Sequence, residues 1–174
     1  MSVESKIYAS GPAITCDQLI AAAGRRGLSV RVFATAATDE GTLAPRDPDA
    51  LLGGKRQSDH VVLGWPSSDG AVTAAVESAV RAGDKAAIDR LGGEGKLAWC
   101  ELNAGHFDYE EFWNEFPDER PEYEESVEPE RLAAIKASST RYGLRSGTRP
   151  PLNGELLVSL TEVLREATGG VAEE

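Results

Sequence analysis

Cys100 and His106 are the residues of this chain that come nearest to a catalytic pair, and they lie six positions apart near the end of a predicted strand. A cysteine thiolate activated by an imidazole is a common nucleophile. Such a thiolate needs a depressed pKa, and no cluster of Lys or Arg surrounds Cys100 in the sequence. The neighbouring Leu97, Trp99 and Leu102 instead predict a buried, inert thiol. We therefore expect no catalytic residue and no enzyme activity.

A site built from His60, Cys100 and His106 is the alternative hypothesis, because all three lie on or just after predicted core strands. The protein would then be a small enzyme or ligand-binding domain whose basic residues hold an anionic substrate. In the competing interpretation, the same basic residues form ion pairs with the acidic residues that precede them. These basic residues are Arg131, Lys136, Arg141, Arg145 and Arg149.

Motifs for metals and phosphates are missing from the sequence. The carboxylate pairs Glu110-Glu111 and Glu124-Glu125 are not part of a calcium loop, and no H-x-x-x-H or C-x-x-C spacing occurs. The glycine-rich stretches 53–55 and 92–95 match neither phosphate-binding pattern and predict turns. We expect no metal and no cofactor.

The most distinctive region comprises residues 107–130, hereafter the acidic-aromatic segment. Eleven acidic residues and one basic residue, Arg120, give it a net charge of −10 in a chain whose formal charge is −11. It also contains six of the eleven aromatic residues. Disordered acidic tails are usually poor in aromatics. Carboxylates interleaved with large flat side chains are typical of a surface that holds a basic partner.

Three interpretations of this segment compete. It is a solvated insertion with its aromatics docked on the core, a protein-binding surface, or a mimic of DNA whose carboxylates imitate phosphates. The protein-binding interpretation leads, and it assigns the contacts to eight residues. They are Tyr109, Glu110, Glu111, Trp113, Glu115, Phe116, Glu119 and Tyr123.

The crowded carboxylates also predict how the segment is held. Exposed ion pairs contribute only about 0–1 kcal/mol each, so burial of aromatic rings must hold the segment in place. We expect an ordered segment docked by some of Phe107, Phe112, Trp113 and Phe116, with its carboxylates outward. Residual repulsion predicts that added salt or a basic partner stabilises the protein.

The bulk composition narrows the class of partner. A pI near 4.7 argues against direct binding to nucleic acid or to an anionic membrane, since both need clustered cations. The first residues lack the apolar stretch of a signal peptide, and no run is long enough to span a membrane. Two isolated cysteines indicate no disulfide framework. We expect a cytoplasmic protein.

Apolar periodicity and turn residues predict an alternation of strands and helices. Thr15 and Gln18 form a capping box before the first helix, and Gly27 ends it. Residues 36–58 predict a surface loop, and 152–168 predict the most amphipathic helix. The tail after Gly170 is expected to fray. Strands are predicted at 6–10, 29–35, 59–65, 96–103 and 138–146.

This order predicts an α+β fold in a single domain spanning 1–174, with the acidic-aromatic segment as an insertion. The sheet is expected to be mainly antiparallel with helices on one face, and a ferredoxin-like core is the leading topology.

The acidic-aromatic segment and the closing helix LVSLTEVLREATGG resemble those of bacterial toxin-immunity proteins. Such proteins are small, acidic, cytoplasmic and non-enzymatic, and many block a basic nuclease-type toxin with an acidic face that carries aromatics. The resemblance implies a protein that neutralises a basic protein partner. A small enzyme or ligand-binding domain is the first alternative, and a DNA-mimic inhibitor is the second.

Overall fold

The computed structural model describes residues 2–34, 44–45, 60–147 and 152–173. Its strands form one sheet in which every neighbouring pair is antiparallel. The strands are β1 (Ser2–Ala9), β2 (Leu28–Ala34), β3 (Ala44–Pro45), β4 (His60–Pro66), β5 (Ala98–His106), β6 (Thr140–Gly147) and β7 (Val171–Glu173). Their order across the sheet is β3-β2-β4-β5-β6-β1-β7.

Helices connect most of these strands. Three short helices lie between β5 and β6, where the sequence has the acidic-aromatic segment. The helices are α1 (Cys16–Arg25), α2 (Gly70–Ala82), α3 (Lys85–Gly93), α4 (Tyr109–Asn114), α5 (Arg120–Ser126), α6 (Pro129–Lys136) and α7 (Leu152–Thr168). The predicted α+β fold with an antiparallel sheet is confirmed.

Local signals set the ends of the helices as predicted. The Thr15 hydroxyl oxygen accepts from the Gln18 N–H at 3.2 Å, and Gln18 Oε1 accepts from the Thr15 N–H at 2.9 Å. This capping box satisfies two of the N–H groups that a helix start leaves unpaired. Asp84 caps α3 in the same way by accepting from the N–H of Ala87 at 3.0 Å.

One face of the sheet, the α7 face, packs against α1 and α7. Strand residues such as Ile7, Val62 and Leu144 are buried there among the leucines of α7. The helix lies so close to the sheet that a Cβ added at Gly64 would collide with the side chain of Leu156. The apolar stripe predicted for 152–168 therefore supplies most of the helical half of this core.

On the opposite face, hereafter the groove face, two separate groups of helices cover the sheet. The first cover consists of α2 and α3, and the second cover consists of α4, α5 and α6. Because neighbouring residues on a strand point to opposite sides, Leu63 and Tyr8 face away from Val62 and Ile7. Leu63 packs with α2 and α3 over β2 and β4. Tyr8 packs with α4 to α6 over β1. The middle of this face, around β5 and β6, lies between the two covers.

The expectation of helices on one face is wrong. Strand β4 is apolar on both sides, with Val62 at 0 % and Leu63 at 3 % exposure, so both of its faces need a cover. Burying that apolar surface stabilises the fold by about 25 cal/mol per Å². A strand with such a continuous apolar run is typical of a sheet sandwiched between two layers.

The ferredoxin-like topology is also wrong. In that fold, each helix joins two strands that have a third strand between them. Here β4 and β5, joined through α2 and α3, are direct neighbours, and three strands separate β1 from β2.

The end of the chain differs from expectation as well. Val171–Glu173 forms β7 and pairs with β1, with Val171 opposite Tyr8, whereas the sequence predicted fraying after Gly170. The predicted loop at 36–58 lies outside the described residues except for β3, and the single-domain assignment stays a prediction.

Candidate protein-binding surface

Aromatic side chains hold the acidic-aromatic segment against the sheet. Phe107, Tyr109 and Trp113 are buried in one cluster with Tyr8 of β1 and Ile135 of α6. The rings of Phe107 and Tyr8 meet edge to face, with their centroids 4.9 Å apart. Because each such ring removes roughly 150–250 Å² from water, a few of them can hold a highly charged segment. The prediction that aromatic rings dock the segment on the core is confirmed.

Helix α4 places these rings. Asp108 is its N-cap, and the Asp108 Oδ1 accepts from the N–H of Glu111 at 2.9 Å. Acidic side chains at this end also interact favourably with the helix dipole. Tyr109 and Trp113 are four residues apart and therefore share the face of α4 that packs inward. Their ring centroids are 6.2 Å apart.

Prolines divide the segment into short helices, and one of them lies in the first turn of α5. Pro121 occupies the first turn of α5, where a missing N–H does no harm. Helix α5 then returns Tyr123 to the cluster, and its ring centroid lies 4.8 Å from that of Trp113. The contact between these two tilted rings joins α4 to α5.

A network of ion pairs around Arg120 links helices α4, α5 and α6. Arg120 donates through its guanidinium to both carboxylate oxygens of Glu110, at 2.7 and 2.9 Å. Its Nε also donates to Glu124 Oε1 at 2.9 Å. Lys136 of α6 reaches the same Glu124 oxygen at 3.0 Å, and the hydroxyl of Tyr109 donates to it at 3.0 Å. Bidentate arginine pairs of this kind are among the stronger charge-assisted hydrogen bonds.

The ionisation of this network follows from its contacts. Hydrogen bonds from Arg120, and then from Lys136 and Tyr109, lower the pKa of Glu124 to about 2. Burial raises the pKa of Tyr109 to about 12, and its hydrogen bond to Glu124 acts in the same direction. Tyr109 therefore keeps its proton and donates it to an ionised Glu124 at neutral pH.

Outside this network, the segment presents carboxylates to solvent. Three of the predicted contact residues, Glu111, Glu115 and Glu119, are exposed. Within residues 107–130, all of which the structure describes, Phe116 is the one exposed aromatic, at 42 %. It contacts Phe112, with their ring centroids 5.7 Å apart. The exposed side chains of the segment are thus mainly acidic, with one apolar ring, Phe116, among them.

The other predicted contact residues have internal roles. Tyr109 and Trp113 are buried at 4 % and 7 % exposure, so they hold the segment on the sheet and cannot be its contact residues in this conformation. Tyr123 is half-buried on Trp113. Glu110 is exposed but is occupied by Arg120. The protein-binding assignment of these eight residues stays a prediction, which the structure narrows to Glu111, Glu115, Phe116 and Glu119.

The structure separates His106 from the other two residues of the alternative catalytic site, Cys100 and His60, which lie on the neighbouring strands β5 and β4. Cys100 is fully buried on the α7 face, and burial raises the pKa of its thiol to about 12, which opposes formation of a thiolate. His60 is buried opposite Leu102, whereas His106 is exposed four positions further along β5. At about 3.3 Å per residue, that is on the order of 13 Å along the strand.

The predicted basic cluster is dispersed. Lys136 binds Glu124 of the segment, as one interpretation expected. The guanidinium carbon of Arg141 instead lies 5.5 Å from the ring centroid of Phe112. Arg145 is 3.7 Å from Glu4 on the groove face, and Arg149 lies outside the described residues.

Two structural residues were missed by the sequence analysis. The ion pair of Arg120 with Glu124 has a local signal, since a spacing of four residues on a helix brings the two side chains together. Tyr8 was not assigned, although it alternates with Ile7 and must face the other side of the sheet. Its partner Phe107 is 99 positions away, and no local pattern predicts that contact.

Neither a metal-binding cluster nor a membrane-spanning helix is found among the described residues. Among them, no group of His, Cys, Asp and Glu is arranged to hold a metal ion. No helix within 2–34, 60–147 or 152–173 has the length and apolar character to cross a bilayer.

Comparison of the chain with protein-family models, curated proteins and solved structures gave no match.

Proposed function

We propose that the protein is a non-enzymatic binding protein that captures a basic protein partner on the carboxylates of its acidic-aromatic segment. The observation that carries the proposal is that these charges are mounted on helices packed against the sheet. Buried rings and the Arg120 network fix three short helices, and Glu111, Glu115 and Glu119 point outward from them. A segment that serves only solubility needs no such mounting.

The mounting has an energetic consequence for binding. A flexible acidic chain loses conformational entropy when a partner orders it, and that loss weakens the complex. Helices that are already held in place avoid most of this loss. The net charge of −10 also attracts basic proteins over distance, and it accelerates association at low ionic strength.

Phe116 supplies the apolar part of the proposed contact. Aromatic residues surrounded by polar groups are enriched among the residues that dominate interface energies. Phe116 is 42 % exposed and lies between Glu115 and the turn that leads to α5. Lys or Arg side chains of the partner would pair with Glu111, Glu115 and Glu119 around it.

Among the basic proteins that could be the partner, the resemblance to toxin-immunity proteins favours a toxin, such as a nuclease. An enzyme that acts on nucleic acid carries a cationic surface for phosphates, and a rigid array of carboxylates complements such a surface. The DNA-mimic alternative uses the same surface and differs only in requiring the carboxylates to occupy the phosphate positions of a duplex.

The test is affinity capture from the native host with three forms of the protein. The first form is unaltered. The second carries Glu111→Lys, Glu115→Lys and Glu119→Lys. The matched control carries the same number of charge reversals at exposed positions outside the acidic-aromatic segment, Asp17→Lys, Glu94→Lys and Glu155→Lys.

We expect the unaltered protein and the control to retain the same basic protein, and the second form to lose it by about 100-fold or more in affinity. The association rate of the purified pair should fall steeply with added salt. Equal retention by the second form, or a captured partner with an acidic surface, would contradict the proposal.

A further inference from the structure

The groove face contains a cavity that is separate from the acidic-aromatic segment. Its volume is about 590 Å³, and it lies between α3 and the strands β4 and β5. Cavities that bind small molecules usually measure roughly 300–1,000 Å³ and are lined mainly by apolar side chains. The size and concave shape therefore suit a small molecule and not a flat protein surface.

The interior of the cavity is apolar. Leu63, Ile88 and Leu97 are buried at its base, and the half-buried Val61 and Trp99 form the side that belongs to the sheet. Trp99 offers a large flat surface for an aromatic or aliphatic group.

Two glycines of α3 form the opposite side. Gly92 and Gly93 line the cavity, and a Cβ added at Gly93 would meet no atom within 4 Å. A glycine inside a helix costs about 0.5–1 kcal/mol relative to alanine. Two of them in the last turn of α3 keep this side of the cavity open.

Among the lining residues that the structure describes, the charged ones are the exposed Lys85, Asp89 and Glu101. Lys85 Nζ and Asp89 Oδ2 are 2.6 Å apart, so these two charges largely neutralise each other. The exposed Glu101 follows Trp99 on the same face of β5 and adds a carboxylate. The neighbour of Glu101 on β6 is Arg145, which lies between Glu101 and Glu4. The distance from Arg145 Nε to Glu4 Oε1 is 3.7 Å. The charged residues that the structure describes along the cavity are one cation, Lys85, and two carboxylates, Asp89 and Glu101, and their charges sum to −1.

We propose that this cavity binds a small molecule with an apolar, preferably aromatic, body and a single amine cation. The body would fill the space between Leu63, Ile88 and Trp99. The ammonium would lie at the mouth near Glu101, where both the carboxylate and the face of a tryptophan attract a cation. An anionic ligand would meet the opposite field. This inference does not depend on the binding of a basic protein.

The experiment compares three probes that share one body and differ in charge: 4-phenylbutylamine, 4-phenylbutanol and 4-phenylbutanoate. Each is titrated into the full chain at 0.15 M NaCl, and binding is followed by nitrogen–proton correlation spectra. We expect saturable shifts at residues of α3, β4 and β5 and at the Trp99 indole. The amine should bind about five- to tenfold more tightly than the alcohol, and the carboxylate more weakly than both.

Variants locate the site and its charge preference. Gly93→Leu should abolish saturable binding by filling the open side, while Gly24→Leu, an exposed helical glycine of α1 that also has nothing within 4 Å, should leave binding unchanged. Glu101→Gln should remove the preference for the amine and leave the affinity for the alcohol intact.

Several outcomes would overturn the proposal. Absence of saturation at the cavity residues with all three probes would show that no ligand site exists there. Equal affinity for the amine and the alcohol, or tighter binding of the carboxylate, would refute the ligand class. Shifts confined to residues 107–130 with the amine would reveal attraction to the acidic surface only.

Discussion

The two covers of the groove face are built in different ways. Helices α2 and α3 span 13 and 9 residues, and aliphatic side chains such as Val76, Ile88 and Leu91 hold them on the sheet. Helices α4, α5 and α6 span 6 to 8 residues, and aromatic rings hold them. Residues 69–96, which contain the first cover, have five acidic and four basic residues, whereas the acidic-aromatic segment at 107–130, which forms most of the second cover, has a net charge of −10.

The difference shows how a protein can order a strongly charged surface. Helices shorter than about 12–15 residues are marginal in water, and like charges weaken them further. The first cover relies on amphipathic helices of ordinary composition. The second needs large rings beneath it and an arginine within it, and in exchange it presents a fixed array of carboxylates.

The substitution with the largest expected effect removes Trp113, the central ring of the second cover. Trp113→Ala should destabilise the protein by about 3–5 kcal/mol, because the indole is buried among Tyr109, Phe112 and Tyr123. Chemical denaturation measures the loss. Hydrogen exchange should accelerate most within residues 107–130.

Val76→Ala is the matched change in the first cover, since Val76 is fully buried in α2. Val76→Ala should lower the free energy of unfolding by less than Trp113→Ala does, because fewer buried atoms are removed. Hydrogen exchange in residues 107–130 should stay slow. Unchanged exchange of α4 to α6 in Trp113→Ala would show that the ring does not hold the second cover.

A second test compares two arginines that each contact two carboxylates. Arg120 contacts Glu110 and Glu124 within the short helices, and Arg26 contacts Glu162 and Glu166 of the long helix α7. Arg120→Met should lower the denaturation midpoint and speed exchange in α4 and α5. Arg26→Met should have a smaller effect, because α1 and α7 are already fixed by their apolar core.

Thermal and chemical midpoints of both variants, measured at low and at moderate salt, decide this test. Equal effects of the two substitutions would mean that the acidic-aromatic segment is held by its rings alone and that Arg120 is dispensable.

The smallest expected effect is a pH dependence confined to the second cover. The contacts of Glu124 lower its pKa from the ordinary 4.5 to about 2, so this carboxyl binds protons less readily in the folded state. Its contribution to stability is complete above pH 4.5 and is lost as the pH falls toward about 2. The Trp113 indole resonance should therefore report loosening of α4 to α6 in that range.

Glu124→Gln provides the control for the pH series. The variant should be less stable than the unaltered protein at pH 6, and its stability should change less between pH 4.5 and 2. An identical pH profile in the two proteins would assign the acid sensitivity to other carboxyls.

Much of the fold could be predicted from local signals. The capping box at Thr15 and Gln18, the Asp84 cap and the apolar stripe of α7 depend on residues within a few positions of one another, and all three are present. The strand order could not be predicted in this way. It depends on which strands meet after loops of very different length, and a period-two pattern contains no information about the neighbour.

The candidate surface was predictable in part. The charge and the aromatics of 107–130 indicated a docked segment, because exposed carboxylates cannot hold themselves in place. The sequence could not distinguish inward from outward rings, since Trp113 and Phe116 occur in similar acidic surroundings. Their orientation depends on the turn of α4 relative to Tyr8 and Ile135, which are remote in sequence.

The sequence by itself determined the element types, the acidic excess of one segment and the need to bury its rings, because these follow from local spacing and composition. Only the tertiary structure decided that Tyr109 and Trp113 face inward, that Arg120 joins Glu110 to Glu124, and that a cavity opens between α3 and β5. These features arise where segments distant along the chain pack together. The free energy of such packing depends on both contacting surfaces, so neither segment's sequence predicts it alone.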